Sequence, residues 1–356
     1  MQEYIAFDSH KTYTLAERMN RDGSNPRQTR IDHTPGALTR YLATARPGTP
    51  VAVEAIGHWY WIIEEIEAAG CRPRLVHPRK AKLMMGMINK TDKLDVHGLN
   101  RLQQNGTLPT VWIAPPAVRD LRELTRLRLT NGRRRTQLKN RITATLEKYA
   151  LRVTGCSDRF GVRARAQYPE LLRRLPTRTR WSVQAQLEQL DLVERQLADQ
   201  ERQIESLLKQ TPTMALLETM PGIGRILAAT IAVEIGQIER FPTGEQLASY
   251  AGTTPRVHSS GGKTRYGRTR PDVNRYLKWA FHEAANSVAL NATRLPDRHV
   301  SGLYRRLRSR KGHGKAVGAV ARHLAEATWH VWTRNEPYVD PGVGTPRRPK
   351  REYVMP

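Results

Sequence analysis

The segment Tyr4-Ile5-Ala6-Phe7-Asp8 decides the fold class, because it has the composition of a short buried strand that ends in a carboxylate. A second segment of the same kind follows at Pro50-Val51-Ala52-Val53-Glu54. We predict further strands over Lys11–Ala16, Gln28–Asp32 and Arg74–His77, and helices over Ala37–Ala45 and Tyr60–Ala69. This alternation of strands and helices predicts an α/β domain, which we assign to residues 1–150.

The charge balance points to a polyanionic partner. The chain has 356 residues and a formal net charge of +26, and contacts with phosphates release counterions that drive binding. Between Arg119 and Arg180 there are 18 Lys and Arg against 5 Asp and Glu, a net of +13 and half of the total. Arginine predominates there, which suits bidentate phosphate contacts, and Arg133, Arg134 and Arg135 are candidate nucleic-acid ligands. A basic protein that binds a ribosome or a membrane surface is the less favoured alternative.

Several classes of protein are disfavoured by the sequence. Cys71 and Cys156 are far apart and lack the spacing of a zinc site, and so few cysteines are typical of a reducing cytoplasm. The first residues do not resemble a signal peptide, and no run of about 18 apolar residues predicts a membrane span. We therefore expect a cytoplasmic protein with no membrane partner.

From Pro116 onward the pattern becomes helical, with Arg-rich helices predicted over Asp120–Tyr149 and Trp181–Leu208. In the second helix, apolar residues alternate in three- and four-residue steps, with glutamines at the two missing positions: Val183, Gln186, Leu190, Val193, Leu197, Gln200, Ile204 and Leu207. This pattern predicts either a coiled-coil seam or a helix that packs within its own domain. We treat residues 151–212 as a helical coiled-coil linker.

A third, mainly helical domain is predicted over residues 213–336. It begins with Met220-Pro221-Gly222-Ile223-Gly224, which is similar to the hairpin of a helix-hairpin-helix. Gly222 and Gly224 would then contact a DNA backbone, and the alternative is a purely packing role. Helices are predicted over Arg225–Ile235, Glu245–Tyr250, Asp272–Leu290 and Ala316–Thr333, and a loop over 252–271. The Pro-rich tail 337–356 carries the basic run Arg347–Arg351 and is predicted to be disordered.

Four acids form the candidate metal site: Asp8, Glu54, Asp92 and Asp95. Asp8 and Glu54 end predicted strands, where side chains collect at one edge of a sheet. Asp92 and Asp95 share one face if residues 92–102 are helical. Clustered carboxylates need a hard divalent cation, Mg²⁺ or Mn²⁺, and such ions support phosphoryl transfer. For any one of these acids, an ordinary surface carboxylate is the alternative.

The Gly/Ser-rich loop contains the candidate nucleophiles Ser259 and Ser260. Arg256, Lys263 and Arg265 would hold phosphate oxygens, and the alternative is a flexible loop without chemistry. His10 and His258 lie near the proposed sites and could assist proton transfer, although an exposed or hydrogen-bonded histidine is more common. Trp59 and Trp61 are assigned to the core.

These elements occur together, in this order, in one family that the chain resembles, the insertion-sequence one-ten family of DEDD transposases, related to Piv-type invertases. The resemblance extends from Tyr4 to about Trp332. It is carried by Ile5-Ala6-Phe7-Asp8, Val51-Ala52-Val53-Glu54-Ala55, Lys90-Thr91-Asp92-Lys93-Leu94-Asp95, Pro221-Gly222-Ile223-Gly224, Tyr250-Ala251-Gly252 and Ser259-Ser260-Gly261-Gly262-Lys263.

The resemblance implies a RuvC-like N-terminal domain with an RNase H fold, a coiled coil used for assembly, and a mainly α C-terminal transposase domain. Asp8, Glu54, Asp92 and Asp95 would be its metal ligands. Ser260, rather than Ser259, would form a serine–DNA phosphodiester. The site would be composite, with acids and serine from different protomers of a dimer or tetramer. The implied partners are donor and target DNA and a structured noncoding guide RNA, in the nucleoid of a bacterium.

Two rival functions use the same residues. The first is a RuvC-like Holliday-junction or structure-specific endonuclease, which would employ the four acids with water as nucleophile. The second is a nonenzymatic DNA- or RNA-binding protein with a degenerate RNase H fold. The Ser-Gly-Gly segment argues against the first and the four intact acids against the second. The absence of a Walker-type motif agrees with a covalent intermediate, because rejoining then needs no ATP.

Overall fold

A computed structural model describes residues 3–86 and 91–342 of the chain. It divides the chain into two compact units, Met1–Ala114 and Pro115–Pro356. The division falls well before residue 150, where the sequence placed the end of the first domain, because the long helix that starts at Pro116 packs on helices of the second unit. The four predicted domain ranges stay predictions. No helix within the described residues is long and apolar enough to cross a lipid bilayer.

The first unit contains, among its described residues, a five-stranded mixed sheet of order β3-β2-β1-β4-β5. Strand β1 is antiparallel to β2 and parallel to β4, β2 is antiparallel to β3, and β4 is parallel to β5. The strands are β1 (Glu3–Ser9), β2 (Tyr13–Asn20), β3 (Arg27–Asp32), β4 (Pro50–Glu54) and β5 (Arg72–Val76). The helices are α1 (Ala37–Leu42), α2 (Trp59–Ala68), α3 (Pro78–Met85) and α4 (Asp92–Gln104).

The central strands are apolar at successive positions because both faces of the sheet are covered. Ile5 and Phe7 of β1 belong to a core with Val51, Val53 and residues of α1 and α2. Ala6 and Ala52 belong to a second core that includes Val96 and Leu99 of α4. Side chains alternate along a strand, so even-numbered residues of β1 and β4 lie on the α4 side.

The second unit begins with two long helices that pack against each other in antiparallel directions: α5 (Pro116–Glu147) and α8 (Thr177–Gln210). The ion pairs between the helices follow this direction, since Arg128 pairs with Glu201 and Lys139 with Glu194. Between them lie the short helices α6 (Val162–Arg165) and α7 (Tyr168–Arg173).

The periodic apolar residues of α8 are used within the chain. Val183 and Leu190 are buried in one core with Ile142 and Leu146 of α5. The interpretation of this helix as one that packs within its own chain is therefore confirmed. Its use in assembly between protomers stays a prediction.

The remaining helices surround a single large core that includes Leu217, Ile231, Phe281 and Leu324. They are α9 (Pro212–Glu218), α10 (Arg225–Ile235), α11 (Gly244–Tyr250), α12 (Arg275–Asn291), α13 (His299–Lys311) and α14 (His313–Arg334), with a 3₁₀ turn at Ile238–Arg240. The mainly helical character of the C-terminal region is confirmed. Helix α13 was not predicted, because five of its 13 residues are Lys or Arg and its apolar stripe is thin.

The predicted loop over 252–271 is wrong. Most of it forms an antiparallel β-hairpin of β6 (Pro255–Ser260) and β7 (Lys263–Thr269). Gly261 and Gly262 have φ values of +56° and +72°, which a two-residue hairpin turn of this kind requires and which glycine adopts without strain. Nearly every residue of both strands is exposed, so the hydrophobic alternation that normally indicates a strand is missing.

The start of the predicted disordered tail is also wrong. The backbone N–H of Tyr338 donates to Thr219 Oγ1 at 2.9 Å, and Asp340 Oδ1 accepts from the backbone N–H of His299 at 2.9 Å. Burial raises the pKa of Tyr338 to about 12. Residues 337–342 therefore pack on α9 and α13, while the basic run Arg347–Arg351 lies outside the described residues.

Candidate functional site

Two of the predicted acids stand side by side at the carboxyl ends of parallel strands. Phe7 of β1 pairs with Val53 of β4, so the next residues in register are Asp8 and Glu54. Neighbouring strands lie about 4.8 Å apart. Because both acids share the parity of Ala6 and Ala52, they lie on the face of the sheet that α4 covers.

The other two acids lie in the first turn of α4, which packs on β1 and β4. Thr91 caps this helix, because its Oγ1 accepts from the backbone N–H of Leu94 at 3.3 Å. Asp92 and Asp95 are three residues apart and thus on one face, and the N-terminal end of a helix favours acidic side chains. The sheet edge and the helix end bring the four acids to one region of the first unit.

The tightest cluster contains two of the four acids and one histidine. Ligand atoms of Asp8, His10 and Asp92 all lie within 4.8 Å of one another. His10 Nε2 is 3.4 Å from Asp8 Oδ2 and 3.1 Å from Asp92 Oδ2. Within residues 3–86 and 91–342, Glu54 and Asp95 do not belong to this group. His10 was predicted only as a neighbour of the site, and its position two residues after Asp8, just beyond β1, was the available signal.

A tyrosine that was not among the predicted site residues donates a hydrogen bond to one of the carboxylates. The Tyr13 hydroxyl donates to Asp92 Oδ2 at 3.0 Å, and its ring lies 4.5 Å from the His10 ring, centroid to centroid. This hydrogen bond is the main reason that the pKa of Tyr13 lies above its usual value. The Arg30 guanidinium lies 3.9 Å from the centroid of the same ring. Tyr13 thus fixes the direction of Asp92 from the neighbouring strand.

The hairpin register separates the two candidate serines. Ser260 pairs with Lys263 and His258 with Arg265, so alternation puts these four side chains on one face. The opposite face carries Ser259, Thr264, Val257 and Tyr266.

Arg256 belongs to the face of Ser260. A Cβ atom on Gly267 would lie 3.7 Å from Arg256 Cβ and 3.9 Å from His258 Cδ2, so both side chains leave the hairpin on that side. The face that carries Ser260 therefore presents an imidazole and three cationic groups.

A buried ionic network lies where the hairpin joins α12. Lys278 Nζ donates to Thr269 Oγ1 at 2.6 Å at the end of β7. Asn274, which caps α12, donates from Nδ2 to Glu234 Oε2 at 2.8 Å. Glu234 is fully buried and accepts two bonds from Arg126, at 2.7 and 3.0 Å. The network was not predicted, because its ion pair joins Arg126 to Glu234, which are 108 residues apart along the chain.

The two glycines of Pro221-Gly222-Ile223-Gly224 have different reasons to be glycine. A Cβ on Gly222 would lie 2.3 Å from the Ala284 carbonyl oxygen, and φ is +77°. Packing against α12 alone explains this residue. Gly224 directly precedes α10 as its N-cap residue, and nothing lies within 4 Å of its Cβ position, so its surface is open. Contact of either glycine with a phosphate stays a prediction.

The remaining candidates fall into two groups. Arg133 and Arg135 line a cleft beside α12, whereas Arg134 lies elsewhere, with Nη1 3.4 Å from Asn131 Oδ1. Trp59 and Trp61 pack on the core of the first unit, which confirms their assignment.

Comparison with known proteins agrees with these features. A family described as "Transposase IS116/IS110/IS902 family" matches residues 214–301, and an IS110-type DEDD family described as "Transposase" matches residues 5–151. A "Probable family 20 transposase" from Pseudomonas aeruginosa is 28% identical over 82% of this chain and 86% of that protein. A "Transposase for insertion sequence element IS1111A" from Coxiella burnetii is 24% identical over 81% of this chain and 79% of that protein.

The fold and the matches together define a class, the transposases of insertion sequences, which are enzymes that process DNA. Within that class, the chain belongs to the IS110 family, and the resemblance drawn from its motifs is confirmed. The acidic cluster agrees with the metal dependence expected of a DEDD enzyme.

Proposed function

We propose that this transposase cuts and rejoins DNA through a phosphodiester between Ser260 and the DNA, in a reaction that also uses metal-binding acids of a RuvC-like domain. The observation that carries the proposal is the hairpin register, which gives Ser260 the same face as His258, Lys263 and Arg265. Ser259 shares its face with Val257 and Tyr266 instead. Cations beside a hydroxyl favour attack on a phosphodiester, because they bind its non-bridging oxygens and stabilise the charge that develops.

The proposed step conserves phosphodiester bonds. Ser260 Oγ forms a bond to phosphorus while the bond from phosphorus to the leaving DNA oxygen breaks. The hydroxyl proton passes to a base, for which His258 is the candidate on the same face, and the leaving oxygen takes up a proton. Rejoining is the reverse reaction with a different DNA hydroxyl, so no nucleotide cofactor is consumed.

The residues of the first unit fit a divalent cation. Asp8, His10 and Asp92 offer two carboxylate oxygens and one ring nitrogen within 4.8 Å, and Glu54 and Asp95 border the same region. Mg²⁺ prefers oxygen ligands, while Mn²⁺ also accepts an imidazole nitrogen, so the donor set suits either ion. A bound ion would supply Lewis-acid polarisation of a phosphoryl oxygen. The sheet order β3-β2-β1-β4-β5 supports the RuvC-like assignment.

The partners in this proposal are donor DNA, target DNA and a structured guide RNA, with at least two protomers in a composite site. The support for RNA is the basic stretch between Arg119 and Arg180 and the absence from the sequence of a zinc finger or other familiar base-reading motif. Sequencing of RNA copurified from cells tests it. Recovery of no defined RNA, together with full recombination after RNase treatment, would remove RNA from the proposal.

Covalent trapping tests the serine. The protein is incubated with supercoiled DNA that carries the element's ends and is then resolved on a denaturing gel. A protein–DNA adduct that disappears in Ser260→Ala and persists in Ser259→Ala supports the proposal. Cut DNA with free ends and no adduct indicates the rival endonuclease, which uses water.

Metal dependence is tested separately at the acidic cluster. Asp92→Asn keeps the size of the side chain and its hydrogen bond from Tyr13, but removes the negative charge. We expect recombination to fall by at least a hundredfold, and binding of Mn²⁺ measured by calorimetry to weaken, as typical for the loss of one ligand. Lys93→Gln, a neighbouring change on the same helix, serves as the control. Unchanged recombination in Asp92→Asn would show that the cluster is not the metal site.

A further inference from the structure

An open cleft lies between α5 and α12 of the second unit. Its volume is about 840 Å³, within the range of sites that bind small molecules. Arginines from α5 line it, together with a tryptophan and one acid from α12: Arg128, Arg133, Arg135, Arg141, Trp279 and Glu283. The cleft therefore combines several cationic groups with one large aromatic side chain.

Three of these arginines have no acidic partner among the residues that the structure describes. Arg128 is held by Glu201, with Nη2 to Oε1 at 2.6 Å. Within residues 3–86 and 91–342, Arg133, Arg135 and Arg141 form no ion pair with a carboxylate within 4.0 Å. Their charge is left for a ligand, and planar guanidinium groups bind phosphates in bidentate fashion.

A glycine in the middle of α5 lines the same cleft. Gly132 lies inside a 32-residue helix, and glycine has a lower helix propensity than every residue except proline. A Cβ at this position would meet only Arg128 Nη1, at an ordinary contact distance of 3.5 Å. The fold thus has room for a methyl group there and does not require glycine. A ligand that packs closely against the helix at this position would explain why the residue is glycine.

Trp279 gives the cleft an aromatic surface beside its charged groups. It is half-buried, so its ring is held by the core of the unit while it still lines the cleft. Gln137 and Asn140 line the cleft as well and offer both donors and acceptors. An aromatic platform, amide groups and arginines together match the base and the phosphate of one nucleotide.

From these residues we infer that the cleft between α5 and α12 binds an unpaired nucleotide of a single-stranded nucleic acid, with its base stacked on Trp279 and its phosphates held by Arg133, Arg135 and Arg141. A base within a duplex is stacked on its neighbours and cannot take this position. The inference rests on the proposed function, because the strands in question are those on which a transposase acts. Single-stranded RNA and single-stranded DNA share the chemistry, and the test separates them.

The main test uses a variant that separates binding from folding. Gly132→Ala should raise the melting temperature by about 2–4 °C, because alanine is the better helix former. The same variant should weaken binding of a labelled 12-nucleotide single strand about tenfold in fluorescence anisotropy. Gly318→Ala is the matched control, since Gly318 lies within α14 and nothing is within 4 Å of its Cβ position. It should gain stability without losing affinity.

The aromatic contact and the phosphate contacts have readouts of their own. Oligonucleotides with 5-iodouracil should crosslink under ultraviolet light to the peptide that contains Trp279, identified by mass spectrometry. Trp279→Phe should retain most of the affinity, whereas Trp279→Leu should lose about tenfold or more, as expected for one lost stacking contact. The logarithm of the association constant falls as the logarithm of the salt concentration rises, and Arg135→Gln should make this slope shallower by about 0.7.

The outcomes are distinct. Stronger binding and crosslinking of RNA assign the cleft to an RNA strand, and the reverse result assigns it to DNA. The inference is overturned if Gly132→Ala binds single strands as well as Gly318→Ala does, or if the crosslinks map away from α12. It is also overturned if a 12-base-pair duplex competes as effectively as a single strand. Because the readout is binding, its failure leaves the trapped serine adduct unaffected.

Discussion

The buried Glu234 network gives the sharpest prediction about stability. Glu234 is fully buried and accepts two hydrogen bonds from Arg126, while Arg122 Nε lies 3.6 Å from Glu234 Oε2. Burial lowers the pKa of Arg122, because its charge is removed from water, while Glu234 acts in the opposite direction. The change Glu234→Gln removes the negative charge that pairs with Arg122 and Arg126, and it keeps the shape of the side chain. We expect it to destabilise the helical unit strongly.

The magnitude follows from the exposure of the partners. Removing one member of a buried ion pair costs about 3–5 kcal/mol, because the other charge stays buried without compensation. The Arg126 side chain is 26% exposed and can regain water, whereas that of Arg122 is only 11% exposed. We therefore expect about 3 kcal/mol, at the lower end of the range. The network joins α5, α10 and α12, so the loss should affect the cooperative transition as a whole.

Urea unfolding followed by circular dichroism measures this effect. The midpoint should fall while the slope stays constant, which separates lost stability from a change in the exposed area. Glu170→Gln is the control, because its pair with Arg173 is exposed and should contribute less than about 0.5 kcal/mol. A change below about 0.5 kcal/mol in Glu234→Gln would refute the reasoning. So would a double-mutant cycle with Arg126→Met that shows no coupling between the two residues.

Two further predictions concern the same unit. Gly222→Ala should lower the free energy of unfolding by about 3 kcal/mol or more, since its Cβ would lie 2.3 Å from the Ala284 carbonyl oxygen, whereas Gly224→Ala should lower it by less than about 1 kcal/mol. Thermal melting compares the two variants, and equal losses of stability would contradict the packing argument. Burial lowers the pKa of His282, so the folded state binds fewer protons than the unfolded chain. The contribution of His282 to stability is complete above about pH 6.5 and declines below that pH. His282→Gln should therefore reduce the difference between the urea midpoints at pH 7.5 and at pH 5.5. The same pH difference in both proteins would exclude this role for His282.

The sequence pattern was sufficient to predict strands where consecutive residues are buried. Strands β1 and β4 are short apolar runs, and their parallel pairing brings Asp8 and Glu54 to one edge as expected. The hairpin β6–β7 escaped prediction, because both of its faces are exposed and no alternation marks it. Its turn glycines were visible in the sequence and were interpreted as a loop. A two-residue Gly-Gly turn between residues such as Val257 and Tyr266 is the signal that favours a hairpin.

The candidate site was predictable in position but not in detail. The four acids could be placed by strand ends and by their spacing on a helix. Tyr13 could not, because its bond to Asp92 joins residues 79 apart along the chain. Glu234 is the only charged residue between Ile226 and Ile235, which indicated an acid in an apolar helix. Its partners on α5 depend on tertiary packing, for which the local sequence carries no signal.

The site of covalent attachment tests the central claim most directly. The trapped complex is trimmed with nuclease, digested with a protease, and the peptide that carries the residual nucleotide is sequenced by mass spectrometry. The account predicts a phosphodiester on Ser260, at the turn of the hairpin. Attachment to Ser259 or to any other residue, or cleaved DNA that never carries a peptide, would contradict it.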